Sequence, residues 1–387
     1  MQRADIVVLN DMHPDEFPGA ASIAYSHAKY LSRQFSVSFW HTTSLPRKIS
    51  RDQNLEVRAI HINRHLSNLF SRHMAARLLA EFISPVLLLK LTILLLSKRP
   101  KIVWVNQIGY RIPRTVSIVF VLLRIKAVQT FHDFGIISPR KLYPQNISEN
   151  GKIKLSERKV INSLYTLRRF LLKSLVNYNF QNICISELQS KIYQSAGVAN
   201  IKIIPNGIEI CGCLGKTTIS KRQNEVLFAG RSTGKGFARI CQIVKNNPNW
   251  KLVIAGERDL QITAEKFLPL SQFEYLGFLT PPKLFSRIHR VEFVSVLSDC
   301  FDVYPTIALE GMVHNSKVLA TETTGIARFL SIHGGGVLLD GTSTQIDLDS
   351  LYTACLDKSI VSSSLMSIDL SVKAYSSMFL STIVPTN

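Results

Sequence analysis

Several features that assign a chain to a class at once are missing from these 387 residues. None of the six cysteines forms a Cys-x-x-Cys pair, which argues against a zinc site and against a disulfide framework. Neither a Walker A loop nor the Gly-x-Gly-x-x-Gly loop of dinucleotide-binding proteins occurs. There is also no helix-turn-helix, zinc-finger or RNP-like motif. Together these absences argue against a P-loop protein, a dinucleotide-binding protein and the nucleic-acid-binding families that these motifs define.

A long apolar run is missing as well. The first run, Ile6 to Leu9, is too short for a signal peptide. The run from Phe82 to Leu96 has about 15 residues, whereas about 20 are needed to span a bilayer. We therefore expect a reduced, cytoplasmic protein. The segment Leu66 to Pro100 is basic and apolar, and it leaves two interpretations open: a buried helical pair beside a sheet, or a surface that enters the membrane interface.

Acidic residues are scarce relative to basic ones. There are 27 Asp and Glu against 46 Lys and Arg, so the formal net charge is +19. Such an excess favours an anionic partner, which leaves nucleic acid, an anionic membrane leaflet, and nucleotide or lipid-phosphate substrates. We expect no nucleic-acid partner, because the charge is spread through apolar helices and no aromatic stacking platform is visible.

What the sequence does contain is a regular alternation of short apolar strands and helices. It starts with Ala4 to Asn10, and it starts again after the turn Pro205-Asn206-Gly207 and an irregular polar segment. This alternation predicts an α/β protein with two facing Rossmann-like domains, each with a mostly parallel sheet, and an active site in the cleft between them. The predicted bounds are 1–206 for the first domain, 207–370 for the second, and 371–387 for a C-terminal helix that returns to the first.

Two carboxylates lie on either side of a predicted helix start in the second half. Asp302 is in a loop after a strand, and Glu310 is on the second turn of a helix that begins at Pro305, because proline suits the first helical position. The free N–H groups at that start, together with the helix dipole, favour an anion. The arrangement suits a sugar nucleotide, with acids for the hydroxyls and amides for the phosphate. The alternative is that the acids only complement the helix dipole.

A loop with two cations follows another predicted strand. The strand ends at Gly230, and Arg231 and Lys235 lie on the loop that enters the next helix. A guanidinium fork and an ammonium point charge at such a turn suit a diphosphate. Gly234 and Gly236 allow the backbone to approach a ligand closely. The alternative is a solvated basic loop.

Two features of the first half lie where an active site is expected. His132 and Asp133 end a strand, at the edge of a parallel sheet where ligands bind. Gly19 belongs to the loop from Phe17 to Ala21, whose small residues can admit a phosphate or an acceptor. Each feature alone also fits an ordinary loop or a packed histidine.

Taken in order, these features resemble the retaining nucleotide-sugar glycosyltransferases of family 4, which have the two-domain GT-B fold. The resemblance covers nearly the whole chain. It is strongest from Ile203 to Gly325 and weakest between residues 40 and 125. The ordered set consists of the Gly19 loop, His132-Asp133, Pro205-Asn206-Gly207-Ile208-Glu209, Gly230-Arg231 with Lys235-Gly236, Leu276-Gly277, and Asp302 and Glu310 followed by Thr324-Gly325.

The resemblance implies how the second domain holds the donor. Arg231 and Lys235 would neutralise the diphosphate of a nucleotide sugar. Glu310 would accept hydrogen bonds from the ribose hydroxyls, and Asp302 would hold hydroxyls of the donor sugar. The sequence has no Asp-x-Asp metal site, so the protein itself would supply the cations, without a metal or a cofactor.

The resemblance also implies which groups surround the reacting bond. The backbone amides of Thr306 and Ile307 would contact the phosphate, and Gly230, at the end of its strand, would belong to the same donor-binding set. From the first domain, the Gly19 loop would approach the phosphates and the acceptor, and His132 would face the transferring sugar. Asp302 and Glu310 complete the implied catalytic set together with His132.

The implied reaction moves a hexose-like sugar to a growing glycan, in cell-envelope polysaccharide or lipid-linked oligosaccharide synthesis. We expect the basic face formed by Lys152 to Lys173 with Arg72 to Arg99 to contact anionic lipids, so that the protein is peripheral at the inner face of the plasma membrane. Four residues depart from the family pattern and leave open a catalytically inactive binding protein of the same fold. Asp302 and Arg328 each stand where the family usually has Glu. Asn315 stands where the family has Gly, and Asn adopts αL more easily than most residues. The family's usual Pro near Lys317 is missing.

Overall fold

Two separate sheets, one in each half of the chain, form the framework of the protein, as the alternation of strands and helices predicts. The computed structural model describes residues 5–16, 19–43, 49–62, 85–109, 111–137, 143–144, 159–210, 223–231, 233–340, 343–356 and 361–383.

The strands of the first half alternate with helices that cover both faces of its sheet. The strands are β1 (Ile6–Asn10), β2 (Val37–Thr43), β3 (Ile49–Asp52), β4 (Leu55–His61), β5 (Ile102–Val105), β6 (Lys126–Phe131), β7 (Tyr143–Pro144), β8 (Phe180–Cys184) and β9 (Ile201–Ile203). The helices are α1 (Ala20–Leu31), α2 (Pro85–Lys98), α3 (Val116–Leu122), α4 (Lys159–Asn179) and α5 (Glu187–Ser195).

The first sheet has the strand order β3-β4-β2-β1-β5-β6-β8-β9. All of its described pairings are parallel except that between β3 and β4 at the edge. Its central strands are continuous apolar runs, as expected for strands that are buried on both faces. One face packs against α2, α3 and α4 through buried residues such as Leu91, Phe120 and Leu172.

The second half repeats the pattern with a sheet that is parallel throughout. Its strands are β10 (Gln223–Gly230), β11 (Lys251–Gly256), β12 (Phe273–Gly277), β13 (Val291–Val296), β14 (Cys300–Phe301), β15 (Lys317–Thr321) and β16 (Gly336–Leu339). Its helices are α6 (Phe237–Lys245), α7 (Arg258–Phe267), α8 (Pro281–Ile288), α9 (Thr306–Val313), α10 (Ala327–His333) and α11 (Leu348–Leu356). The order in the sheet is β12-β11-β10-β13-β15-β16, whereas β14 pairs with β7 of the first half.

The last helix, α12 (Ile368–Ile383), packs on the first half of the chain. The hydroxyl of Tyr375 lies 3.0 Å from Thr130 Oγ1, and its ring lies 4.5 Å from that of Trp104. The chain therefore passes between the halves twice, and the two passages meet where Ile208 bridges Ser367. The exact domain bounds of 206 and 370 stay a prediction.

Candidate functional site

The predicted site residues lie where the strand order of each sheet reverses. In the second sheet this point is between β10 and β13, which lead into the loops that carry Lys235 and Asp302. In the first sheet it is between β1 and β5, which lead towards Gly19 and Asn106, and His132 follows the adjacent strand β6. Open α/β sheets bind ligands at such points. The topology therefore places the predicted residues at the edges of the two sheets where a ligand is expected.

A salt bridge joins two of the predicted donor-binding residues. Lys235 Nζ lies 2.9 Å from Asp302 Oδ2, although the two residues are 67 positions apart in the sequence. The lysine side chain is about half exposed, while that of the aspartate is mostly buried. Burial acts to lower the pKa of Lys235, but the Asp302 carboxylate outweighs it and raises that pKa. The ammonium group is therefore charged at neutral pH, beside the acid predicted to hold the donor sugar.

Helix α9 begins next to Asp302. The predicted first helical residue, Pro305, is the residue that caps the helix, with φ −71° and ψ 109°, and Thr306 follows as the first helical residue. The N–H groups of Thr306 and Ile307 have no carbonyl partner within the helix, and its first turn contains no acidic residue. This partly exposed helix end can therefore accept an anion. Asn315, after the same helix, has φ 62°, as its place in the αL position predicts.

The second carboxylate, Glu310, lies on α9, where its side chain is partly exposed but is surrounded mostly by protein. Burial alone raises the pKa of its carboxyl group to about 7. Within the part of the chain that the structure describes, no donor group contacts this carboxylate. A buried acid without donors is suited to a ligand that brings its own donors, as ribose hydroxyls do.

The basic loop between β10 and α6 is exposed. The guanidinium carbon of Arg231 lies 5.8 Å from the centre of the Phe278 ring. Gly236, at the start of α6, has φ 76°, and a Cβ there would overlap the carbonyl oxygen of Leu297. From the sequence, Gly236 is expected to allow close approach of a ligand. The structure gives a different reason, which is that this glycine lets the basic loop pack against the end of β13 and so brings Lys235 to Asp302.

His132 lies partly exposed at the end of β6. Its Nε2 is 3.2 Å from Oδ1 of Asn106, a buried residue at the end of β5. An N–H at Nε2 that donates to Asn106 leaves Nδ1 as a hydrogen-bond acceptor. Burial lowers the pKa of His132 to about 4, because it outweighs the Asp133 carboxylate, which acts to raise that pKa, and His27 lowers it slightly further. The imidazole is therefore neutral at neutral pH.

Gly19 caps α1 and is exposed. Its φ of 95° is a conformation that other residues rarely adopt, and a Cβ there would meet no atom within 4 Å. Glycine is thus required by the backbone conformation, and space is left open above the first turn of α1. This turn also lacks acidic residues, so the open space is compatible with an anion.

Two residues of the first-domain edge were missed by sequence reasoning. Asn106 orients His132, and Arg114 is buried with its Nη2 3.3 Å from Asp133 Oδ1. A Cβ at Gly135 would overlap the guanidinium group of Arg114, so this glycine makes room for it. In the sequence, the signal that a side chain packs beside His132-Asp133 was the glycine at position 135, which follows them closely.

These two facing Rossmann-like domains define the GT-B fold. Three solved structures share it along nearly the whole chain. Sucrose-phosphate synthase from Thermosynechococcus elongatus has a TM-score of 0.71 at 12% identity, over 97% of this chain and 98% of that one. HepE from Anabaena, in complex with UDP and glucose, has a TM-score of 0.65 at 15% identity, over 98% of this chain and 100% of that one. WaaG, a glycosyltransferase involved in lipopolysaccharide biosynthesis, has a TM-score of 0.61 at 12% identity, over 98% of this chain and 97% of that one.

At these identities the likeness establishes the fold. No protein-family model matches the chain, and no curated protein is significantly similar to it in sequence. Among the described residues, no group of three or more His, Cys, Asp or Glu side chains could hold a metal ion. That the reaction needs neither a metal nor a cofactor stays a prediction.

Proposed function

We propose that the protein is a retaining, metal-independent glycosyltransferase that moves a hexose-like sugar from a nucleoside-diphosphate sugar to a growing glycan. The observation that carries this proposal is the contact of Lys235 with Asp302 at the strand switch, beside the open first turn of α9. It brings a cation, free amides and an acid into one place. HepE, which shares the fold, is described with UDP and glucose, and this supports a nucleotide-sugar donor.

The chemistry follows from the charge that develops when the bond from the anomeric carbon to the phosphate oxygen breaks. Negative charge then builds up on the leaving diphosphate. Lys235, Arg231 and the amides at the start of α9 are fixed before the reaction, so they stabilise this charge without reorganising. Asp302 holds hydroxyls of the donor sugar, and Glu310 holds the ribose.

The acceptor approaches from the first domain, between the Gly19 loop and His132. Because His132 is neutral, it orients the sugar through hydrogen bonds and carries no charge. The leaving phosphate oxygen takes the proton of the acceptor hydroxyl. Attack and departure then occur on the same face of the sugar, which gives retention of configuration.

A ligand screen without added metal tests this function. The purified protein is heated with UDP-, GDP-, ADP- and dTDP-sugars, and release of the nucleoside diphosphate is measured in parallel. We expect one nucleotide series to stabilise the protein by about 2.7 kcal/mol at a hundredfold excess over its dissociation constant. If well-folded protein neither binds nor turns over any of them, the proposal is wrong and the fold serves a non-catalytic binding protein.

We further propose that the protein works in the cytoplasm at an anionic membrane surface, with a glycan or lipid-linked acceptor and no nucleic-acid partner. None of the helices in the described ranges is long and apolar enough to cross a bilayer. Part of the predicted basic face, residues 72–84 and 152–158, lies outside the described residues. The outer surface of α2, α3 and α4 is described in part, and it carries the proposal.

This outer surface, termed the apolar face, belongs to three helices that pack side by side on the first sheet. On α2 the exposed residues recur at spacings of three and four, while Leu87, Leu91 and Leu95 on the other side enter the core. Exposed apolar patches of this kind mark interaction surfaces. The apolar face consists of Val86, Leu89, Ile93, Leu96, Ile118, Leu122, Leu167, Phe170 and Leu171.

The charge around the apolar face favours lipid over protein as its partner. The sequence contains no Asp or Glu between Glu81 and Asp133, or between Glu157 and Glu187. A cavity of about 540 Å³ adjoins the carboxyl ends of α2 and α3. Four basic residues are among those that line it: Arg99, Lys101, Arg124 and Lys126. Each cation near an anionic bilayer contributes about 1 kcal/mol.

Acidic residues introduced into the apolar face are expected to weaken membrane binding strongly. The double substitution Leu89→Asp with Ile93→Asp should weaken co-sedimentation with phosphatidylglycerol-containing vesicles about tenfold or more, because both apolar burial and charge attraction are lost. Leu270→Asp with Ile262→Asp places the same two changes on exposed residues of the second domain and serves as the control. Binding that is equal on pure phosphatidylcholine vesicles, or is unaffected by the double substitution, would contradict the proposal.

A further inference from the structure

One side chain of the second domain is buried in the core of the first. Val303 is 7% exposed, and every other buried member of its apolar cluster comes from residues 7 to 198. Its neighbours Phe301 and Tyr304 pack against the same cluster, and Tyr304 also contacts the core of the second domain. The loop that carries the acid Asp302 is therefore anchored in the opposite domain on both sides of that acid.

The backbone of Asp302 is held just as firmly to its own domain. Its N–H donates to Thr323 O at 3.1 Å, and its carbonyl accepts from the N–H of Gly325 at 2.7 Å. Gly325 is packed against the Val303 carbonyl, and a Cβ on it would also lie 2.7 Å from Ser186 Oγ of the first domain. The segment 302–304 is thus enclosed between the turn at Gly325 and the first domain.

We propose that Val303 is a positioning residue, which presents the Asp302 carboxylate to the donor sugar by anchoring its loop in the first domain. This inference rests on the proposed function. The side chain of Val303 carries no polar group, so it acts only through its neighbour. When the domains are together, the buried valine fixes the loop and Asp302 faces Lys235. When the anchor is lost, the backbone near Asp302 gains freedom and its carboxylate no longer has one direction.

The test compares two valines that are buried to the same extent. Val313, on α9, is also 7% exposed, but the buried members of its cluster all come from residues 208 to 366. Val303→Ala and Val313→Ala remove the same two methyl groups from a core. UDP and UDP-glucose are titrated against both variants by calorimetry, and the steady-state constants are measured with UDP-glucose. Val303→Ile, which retains the anchor, is the variant expected to restore the wild-type values.

We expect Val303→Ala to weaken UDP-glucose binding and to lower kcat/KM about tenfold, while UDP binding stays within about twofold. The sugar is then the part of the donor that loses its contact. Val313→Ala should affect UDP and UDP-glucose alike, because it disturbs α9 as a whole. If Val303→Ala loses the same affinity for UDP as for UDP-glucose, or loses affinity for neither, the inference is overturned.

Hydrogen–deuterium exchange gives a readout that does not depend on catalysis. Peptides covering 299–305 and 323–326 report the bonds between Asp302 and its neighbours. Val303→Ala should speed exchange in both peptides, and Val313→Ala should leave them near the wild-type rate. Unchanged exchange in Val303→Ala would refute the anchor itself. If the wild-type protein binds no nucleotide sugar but the two variants show this exchange pattern, the proposed function is refuted and the anchor still holds.

Discussion

Replacing Lys235 with alanine is expected to lower kcat/KM for the nucleotide sugar about 100- to 1,000-fold. The ammonium group lies 2.9 Å from Asp302 and stays charged at neutral pH. In the proposed reaction it faces the diphosphate as negative charge builds up there. Because the lysine is fixed before the donor arrives, its removal affects the transition state more than the bound substrate, and kcat should carry most of the loss.

The control for this substitution removes an equal charge from the same domain. Lys251 begins β11, at the opposite end of the strands from Gly230, and pairs with Glu274 at 3.8 Å. Lys251→Ala should leave kcat within about twofold. Lys235→Arg should restore part of the activity, since it keeps the charge but not the shape. Thermal stability should move little in either alanine variant, because partly exposed ion pairs contribute roughly 0–1 kcal/mol. Wild-type turnover by Lys235→Ala would exclude this lysine from the reaction.

Most of the fold could be predicted, because buried parallel strands are written as uninterrupted apolar runs and the helices between them are amphipathic. The structure corrects two kinds of detail. Helix α3 spans only Val116–Leu122, although the residue pattern of 112–125 predicts a longer helix, since Pro113 lies near the start of that range. The edge strand β3 (Ile49–Asp52) and the two-residue strand β14 were not predicted, because each is too short or too polar to show a period.

Some features of the candidate site could also be predicted from the sequence, and others could not. Local spacing predicted the open helix start to within one residue, at Pro305 instead of Thr306, because a helix start depends on near neighbours in the chain. The family resemblance indicated that Asn315 replaces a Gly in αL, and its φ of 62° agrees. The contact between Lys235 and Asp302 depends on how β10 and β13 lie side by side, and no local pattern encodes that. The role of Val303 was missed for the same reason. A valine beside an acid is an ordinary loop residue until the other domain is placed against it.

Glu310→Gln is expected to stabilise the free protein at alkaline pH and at the same time to weaken nucleotide binding. Burial raises the pKa of the Glu310 carboxyl group from 4.5 to about 7 in the folded state. Between these two values the folded protein holds a proton that the unfolded chain has lost, so stability falls as the pH rises. Above about pH 7 the ionised acid costs on the order of 3 kcal/mol, which the neutral glutamine avoids.

The control for stability is Glu225, a buried acid that does have a partner. Its Oε1 lies 2.9 Å from Arg287, so Glu225→Gln should destabilise the protein under the same conditions. Chemical denaturation at about pH 6 and about pH 8 measures both effects. A Glu310→Gln variant that is less stable than the wild type at the higher pH would show that the carboxylate has a stabilising partner in the free protein, contrary to the open site described above.

Nucleotide binding should depend on pH in the opposite sense to stability. Ribose hydroxyls donate to the ionised carboxylate, so binding favours the form that burial disfavours. The affinity for the preferred nucleotide sugar should rise about tenfold between about pH 6 and about pH 8, a range in which the diphosphate diester itself does not titrate. Glu310→Gln should bind about 10- to 100-fold more weakly at the higher pH, because hydrogen bonds to a charged acceptor are lost, and its affinity should no longer vary with pH. An unchanged pH dependence in this variant would move the titration to another group and remove Glu310 from the ribose site.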